Sequence, residues 1–195
     1  SYIALICFPK SIQNPVYATS DEKAYSVDTT LVSANTKFAF DLFRELVAEE
    51  MNKNIFISPL SISMALTMTY NGAEGTTKDA MAKTLEFGNM SLEMVNEKYS
   101  NWIGSLENAD QQVSLVIGNS IWMKKEFEPI VKPSFIDRIK TYYDGEIFTR
   151  DFGRQQTVND INGWAENITD GKINEVIQKT GERIWTNLLL PLLSQ

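Results

Sequence analysis

The chain has 195 residues, of which 43% are hydrophobic and 22% are charged, and its formal net charge is −7. This balance is typical of a globular protein of one domain or two small ones, and it argues against intrinsic disorder. The negative charge argues against a phosphate-binding surface, because nucleic acids and acidic membranes are bound by clustered Lys and Arg. We therefore expect neither a nucleic-acid partner nor a membrane partner.

The sequence contains no histidine and a single cysteine, Cys7. The lack of histidine removes Ser-His-Asp and Cys-His catalysis and most zinc sites, since these depend on imidazole and thiolate groups. Carboxylates remain, so a calcium or magnesium site stays open, but no pair of them forms a convincing acid–base dyad. One cysteine cannot form an internal disulfide, which leaves the compartment open. We predict that the chain is not an enzyme and has no cofactor.

The first 30 residues predict an N-terminal arm. The apolar run from Tyr2 to Phe8 is too short to span a bilayer. It is either the remainder of a cut signal sequence or an extension that packs on the domain. Residues 9–29 are polar and include Pro9 and Pro15, which is typical of an extended segment.

Two helices and a strand are expected next. A helix over residues 31–50 is indicated by apolar residues that recur at spacings of three and four. Residues 55–57 predict a buried strand. Residues 59–70 predict a buried helix, which Ser58 caps and Pro59 opens because proline suits the first helical position.

The rest of the chain mixes helical and strand patterns. Helices come first and are then interleaved with strands, which indicates an α+β fold. The expected elements are a helix from about Thr76 to Phe87, a helix over residues 91–108 capped by Ser91, a strand within residues 111–123, a helix over residues 134–142, a strand over residues 145–152 and a helix over residues 157–169.

Three polar residues raise a functional question. Ser61 lies in the first turn of the expected buried helix, where its hydroxyl needs a partner because an unpaired buried polar group costs about 1–3 kcal/mol. Asn89 and Asn167 each begin the Asn-x-Ser/Thr pattern that accepts N-linked glycans. Both fall at expected helix ends, so a chance match within a cap is the alternative to glycosylation.

Three blocks of sequence resemble the serpin family, protease inhibitors that trap their target by inserting a reactive loop into a sheet. NIFISPLSISMALTMTYNGAEGTT, residues 54–77, resembles the family's strand and buried helix. GNSIWMKKEFEPIVKPSF, residues 118–135, is similar to a central-sheet strand and the turn after it. DFGRQQTVNDINGWAENITDGKI, residues 151–173, resembles the helix that crosses that sheet. The resemblance implies a truncated serpin domain over residues 31–177, with N-terminal helices packed on part of a central mixed β-sheet.

The resemblance also implies roles for single residues. Ser58 and Ser61 match the family's shutter, a polar cluster beneath the sheet where strands part to admit the loop. Asn187 is the candidate for the shutter asparagine, although it lies a few residues closer to Lys172 than the family spacing. The other family-motif positions are expected to be structural: Asn54, Pro59, Leu66, Gly72 and Thr77.

The resemblance ends near residue 177. Residues 178–195 form a leucine-rich tail that is unlike the family, and no reactive centre occurs in this chain. The family implies a metastable inhibitor of serine or cysteine proteases, secreted although a cytoplasmic location stays open, and inactive as this chain alone. The alternative is a non-inhibitory module that binds partners or itself through exposed sheet edges. Residues 91–108 match the family's heparin-binding helix but carry only Lys98 as a base, so we expect no heparin site.

Overall fold

The computed structural model describes residues 3–10, 28–49, 54–109 and 115–177. In these residues, helices pack on a small sheet, as the predicted α+β class requires. The elements in chain order are β1 (Ile3–Lys10), α1 (Thr29–Glu49), α2 (Pro59–Tyr70), α3 (Gly75–Thr84), α4 (Leu92–Glu107), β2 (Val116–Lys124), a 3-10 helix (Lys125–Ile130), α5 (Pro133–Tyr143), β3 (Gly145–Arg150) and α6 (Gln155–Ile168).

Several expectations fall outside the described residues. They concern residues 11–27 of the arm, residues 110–114 ahead of β2, and the tail from residue 178 onward, which includes Asn187.

The sheet is mixed and has the strand order β1-β2-β3. β1 runs antiparallel to β2, with Ile3 opposite Met123 and Lys10 opposite Val116. β3 runs parallel to β2, with Gly145 opposite Asn119. β2 is the central strand, and its residues from 117 to 123 are all buried.

The two faces of β2 meet different cores, because side chains alternate along a strand. Ile117, Ile121 and Met123 belong to the main core, which also takes side chains from the helices α1, α2, α4 and α5. Trp122 points to the opposite face, where a second core forms with α6. The members of that second core are Trp122, Ile161, Trp164, Ala165 and Ile177.

α2 is the buried helix that its composition predicts. Five of its side chains are buried: Ser63, Met64, Thr67, Met68 and Tyr70. The other seven residues are half-buried, and Asn71 occupies the C-cap after Tyr70. The predicted helices that became α1, α4, α5 and α6 are confirmed to within a few residues of their ends. α3 begins at Gly75 and ends at Thr84, slightly earlier than expected.

The predicted buried strand at residues 55–57 is wrong. Residues 54–58 form an irregular segment, and the side chain of Phe56 is 100% exposed. A strand needs a neighbour to take its backbone hydrogen bonds. None of the described strands lies beside this segment, and Ile55 and Ile57 are half-buried while Phe56 is exposed.

Candidate functional site

The two predicted shutter serines lie together at the start of α2. Their hydroxyl oxygens are hydrogen-bonded at 2.9 Å, with Ser58 exposed and Ser61 half-buried. Ser58 occupies the N-cap position with extended backbone, and Pro59 follows in the first turn, as predicted. The side chain of Ser58 makes no capping bond to the helix, contrary to expectation, because its hydroxyl contacts Ser61 instead.

The remaining motif positions are spread over three elements. Asn54 and Thr77 are exposed, and Leu66 packs at the margin of the main core. Gly72 follows α2, where an added Cβ would lie 3.2 Å from Cε2 of Phe135. Among the site residues that the structure describes, Ser58 and Ser61 lie in hydrogen-bond contact, and their shutter role stays a prediction.

A larger polar cluster, which we call the asparagine network, lies deeper between α2, α4 and α5. The side-chain amides of Asn71 and Asn96 donate to each other at 2.9 Å in both directions. The hydroxyl of Tyr143 donates to Oδ1 of Asn96 at 2.7 Å. Arg138 donates from Nε to Oδ1 of Asn71 and from Nη2 to its carbonyl oxygen, each at 3.0 Å. The network therefore ties three helices together with hydrogen bonds.

A second group of hydroxyls joins α1, α2 and α4. The hydroxyl of Tyr99 donates to Oγ of Ser63 at 3.1 Å, and Ser63 donates to Oδ1 of Asn35 at 2.5 Å. Burial is the main cause that raises the pKa of Tyr99, and burial also raises the pKa of Tyr143 well above its ordinary value. Both phenols are therefore neutral donors at physiological pH, not bases or nucleophiles.

Asn119 of β2 connects the sheet to this cluster. Its Nδ2 donates to the carbonyl oxygen of Tyr143 at 2.9 Å. Its Oδ1 is buried and has no hydrogen-bond partner among the described residues. A buried acceptor without a hydrogen bond costs about 1–3 kcal/mol in stability.

The asparagine network was not predicted from the sequence. A signal was available for Asn96, because it lies between Val95 and Tyr99 on the apolar side of α4, where an amide needs a partner. The chemistry of the network is structural: it offers neutral donors and acceptors, without a paired nucleophile and base. In the part of the chain that the structure describes, no cluster of three or more His, Cys, Asp or Glu is arranged to hold a metal ion.

An apolar cleft opens between α1 and the segment that precedes α2. It has a volume of about 380 Å³. Phe56 is fully exposed beside it, and Phe40 and Phe43 are 68% and 44% exposed. Its lining residues are Ala39, Phe40, Phe43, Ile55, Phe56, Ile57 and Pro59.

Lys98, the single basic residue within residues 91–108, forms an ion pair inside the fold. Nζ of Lys98 forms an ion pair with Asp28, and the lysine side chain is only 18% exposed. Oδ1 of Asp28 also accepts the backbone N–H groups of Thr30 and Leu31 at 2.8 and 3.1 Å, so it caps α1. The Lys98 contact is the main cause that lowers the pKa of Asp28 to about 2, with the Leu31 bond next.

Replacing Lys98 with methionine is expected to reduce stability in a pH-dependent way. The pKa of Asp28 in the folded state lies below its ordinary value of 3.8, so the ion pair stabilises the fold above pH 3.8. That contribution is lost as pH falls through about 2. Thermal melts from pH 7 to pH 2 should therefore show a lower Tm for the variant near neutrality and converging curves in acid.

The matched control for Lys98 is Lys132→Met. Lys132 pairs with Glu74 at 2.6 Å, but the two side chains are 70% and 78% exposed, so solvent screens the pair. We expect little change in its Tm at any pH. If Lys98→Met instead lowered the Tm by the same amount at every pH, the cause would be lost packing of the lysine stem.

The two glycosylation patterns both present an exposed asparagine. Asn89 lies in the turn after α3, and Asn167 lies in the last turn of α6. Their hydroxyl residues differ, since Ser91 caps α4 and Thr169 is buried and donates to the carbonyl oxygen of Ala165 at 2.7 Å. Modification of either asparagine stays a prediction.

Across the helices that the structure describes, none has the length and apolar character needed to cross a membrane.

Comparison with known proteins gives one consistent family. The model of the family described as serpin, serine protease inhibitor, matches residues 33–190. A serine protease inhibitor of Mus musculus is 31% identical over 186 residues, which are 92% of this chain and 44% of that protein. Thyroxine-binding globulin of Homo sapiens is 36% identical over 149 residues, 75% of this chain and 35% of that protein.

Comparison with solved structures leads to the same family. Ovalbumin from emu, Dromaius novaehollandiae, superposes with a TM-score of 0.69 at 27% identity, covering 77% of this chain and 42% of that one. The chain thus spans less than half the length of the curated relatives that it matches. A family match over most of its residues, together with the same fold, shows that this chain belongs to the serpin family.

Proposed function

We propose that this chain is the N-terminal part of a serpin-type inhibitor of serine or cysteine proteases. The match over residues 33–190 carries the proposal, supported by the mouse relative that is named as a serine protease inhibitor. Its expected location is extracellular, where Asn89 and Asn167 would be open to glycosylation. Its role is inhibition, not catalysis.

We further propose that the chain alone does not inhibit. Inhibition in this family inserts a loop into a sheet that must accept another strand, which is a transition between two global states. The chain spans 44% of the mouse relative, and the described sheet has three strands. A complementary polypeptide would have to supply both the loop and the rest of the sheet.

The proposal is tested with a panel of serine and cysteine proteases and an active full-length serpin as positive control. The chain alone is expected to give no SDS-stable complex. A chimaera that joins residues 28–177 to the remaining part of an inhibitory relative is expected to give one. Complex formation by the chain alone would refute the inactivity, and an inert but folded chimaera would refute the inhibitory assignment.

A second candidate is a non-inhibitory module that binds a partner or a second copy. The apolar cleft favours it, because the exposed side chains of Phe40, Phe43 and Phe56 line one cleft and would be shielded from water by a partner. One relative is named for binding thyroxine, so the family is not confined to protease inhibitors by name.

Replacing Phe56 with serine is expected to reduce any self-association through the cleft. Phe56 is fully exposed, so the change removes apolar surface without opening a core. Light scattering over a range of concentrations should show a smaller mean mass for the variant than for the unmodified chain. The control is Ile130→Ser, which removes a 71% exposed side chain away from the cleft. Equal masses for all three proteins would rule out the cleft as an association surface.

A further inference from the structure

The inference concerns the side of α1 that borders the apolar cleft. Phe40, Phe43 and Val47 are separated by three and four positions, so they share one side of the helix. Their side chains are 68%, 44% and 40% exposed. Phe56 lines the same cleft and is fully exposed. We call these four side chains the α1 face. The described residues leave much of its apolar surface open to water.

The α1 face is large enough to form the centre of an interface. A phenylalanine side chain buries about 150–250 Å² when it is enclosed. At their observed exposures, the three phenylalanines present roughly 400 Å² of apolar surface on one copy. Two copies placed face to face would bury about 800 Å² of this surface, and stable interfaces bury about 1,200–2,000 Å² in total. The rings alone therefore provide a large part of the area that a dimer needs.

The α1 face combines an exposed ring with a recess. Phe56 is fully exposed on the segment before α2, and the cleft that it borders has a volume of about 380 Å³. Two copies related by a two-fold axis can each place this ring in the cleft of the other, so that both rings are buried at once. Such an isologous contact uses the same patch on both copies and closes at the dimer.

The charges of α1 favour an antiparallel arrangement of the two helices. Lys37 lies in the first half of α1 and Glu45 and Glu49 lie near its end, all at exposed positions. Lys37 pairs with Glu86, but its side chain stays 63% exposed. A parallel pair of helices would place each glutamate beside its own counterpart. An antiparallel pair brings Lys37 toward Glu49 of the second copy and opposes the two helix dipoles.

We propose that the α1 face is a homodimer interface, in which the α1 helices of two copies pack antiparallel about a two-fold axis near Phe43. Phe40 of each copy lies against Val47 of the other, and each Phe56 enters the opposite cleft. An interface near the lower end of the stable range binds weakly, so the expected dissociation constant is about 1–100 µM. The inference rests on the self-association candidate and is independent of protease inhibition.

Charge complementation tests the facing pair. One variant carries Phe40→Lys, and the other, distinguished by a size tag, carries Val47→Glu. A dimer of either variant alone would enclose two unpaired charges, so its dissociation constant should rise at least about tenfold. In a mixed dimer the introduced lysine meets the introduced glutamate, and the second contact between Phe40 and Val47 stays intact. Analytical ultracentrifugation should therefore show a mixed dimer at concentrations where each variant alone is monomeric.

The matched control replaces Phe40→Lys by Ile130→Lys, at a 71% exposed position outside the α1 face. This variant should dimerise like the unmodified chain, and it should give less mixed dimer with Val47→Glu. Dimers of the two charged variants as tight as that of the unmodified chain would overturn the interface. Monomers in each variant and in their mixture would overturn the antiparallel arrangement. In both cases the unmodified chain still associates, whereas an unmodified chain that stays monomeric would also end the self-association candidate.

A disulfide test provides a second readout that changes no side chain of the α1 face. Arg44 lies beside the proposed axis, and its side chain is 71% exposed. Arg44→Cys in a Cys7→Ser chain should form a symmetrical disulfide dimer on mild oxidation. The control for random collision is Lys140→Cys, at an exposed position of α5. An equal yield of dimer at the two positions would contradict the proposed axis.

The leucine-rich tail is the competing occupant of the cleft. Leu189→Ser combined with Leu192→Ser makes the tail more polar without altering the α1 face. If a second copy occupies the cleft, the dissociation constant of the dimer should not change. A dimer that becomes at least about tenfold tighter would show that the tail of the same chain covers the cleft, and would overturn the inference. The protease panel reads a separate property and is unaffected by these results.

Discussion

Replacing Asn96 with alanine is expected to lower the free energy of unfolding by about 3 kcal/mol. The change removes the reciprocal amide bonds to Asn71 and the acceptor of the Tyr143 hydroxyl. These groups are buried, so water does not replace the lost partner. For a chain of this size, the corresponding fall in Tm is about 6–12 °C. Thermal and urea unfolding followed by circular dichroism would measure it.

The control on the same helix is Asn101→Ala. Asn101 is only half-buried and lies outside the asparagine network, so its replacement should change stability by about 0.5 kcal/mol or less. Tyr143→Phe, which removes one hydroxyl, should cost about 1–1.5 kcal/mol. The two network changes should be non-additive when combined, because they break a shared bond. A loss below about 1 kcal/mol for Asn96→Ala would mean that the network does not stabilise the fold.

Replacing Gly118 with alanine is expected to cost about 1–3 kcal/mol and to displace α6 from the sheet. An added Cβ would lie 2.4 Å from Cγ1 of Ile168, closer than carbon atoms approach, so the Ile168 side chain, the helix or the strand must shift. Near-ultraviolet circular dichroism should change as well, because Trp122 and Trp164 pack between β2 and α6.

The matched substitution is Gly163→Ala, on α6 itself. No heavy atom would lie within 4 Å of its new Cβ, and alanine is favoured over glycine inside helices by about 1 kcal/mol. We therefore expect Gly118→Ala to lower the free energy of unfolding and Gly163→Ala to raise it. Adding Ile168→Ala to Gly118→Ala should recover part of the loss. If Gly118→Ala left the free energy of unfolding unchanged, α6 would not be in tight contact with β2 at this position.

Local signals explain what was predictable. Ser91 was expected to cap a helix, and its Oγ accepts the backbone N–H of Met94 at 3.2 Å. The bounds of α5 and α6 follow from apolar spacing and from Pro133 in the first turn of α5. Caps and periodicity involve neighbours within one or two turns, so a single sequence contains them.

Long-range pairing explains what was not predictable. Residues 55–57 have the composition of a buried strand, but a strand exists only where another lies beside it, and Phe56 is exposed instead. α2 was expected to end at residue 70 and does so, yet the amide partner of its C-cap residue, Asn71, is 25 positions away on α4. Ser58 and Ser61 were grouped by the family resemblance, and they form a hydrogen bond at 2.9 Å. The family resemblance identified the fold but not the hydrogen bonds that hold its interior.

The pairing of β1 with β2 has a consequence for biosynthesis. Ile3 is made before its partner Met123, which follows 120 residues later. At translation rates of about 5–20 residues per second, roughly 6–24 s pass between the synthesis of Ile3 and that of Met123. During that interval the strand is open to a ribosome-bound chaperone or to the nascent chain of a neighbouring ribosome. The order of synthesis therefore leaves β1 without its partner strand for most of the time taken to make residues 3–177.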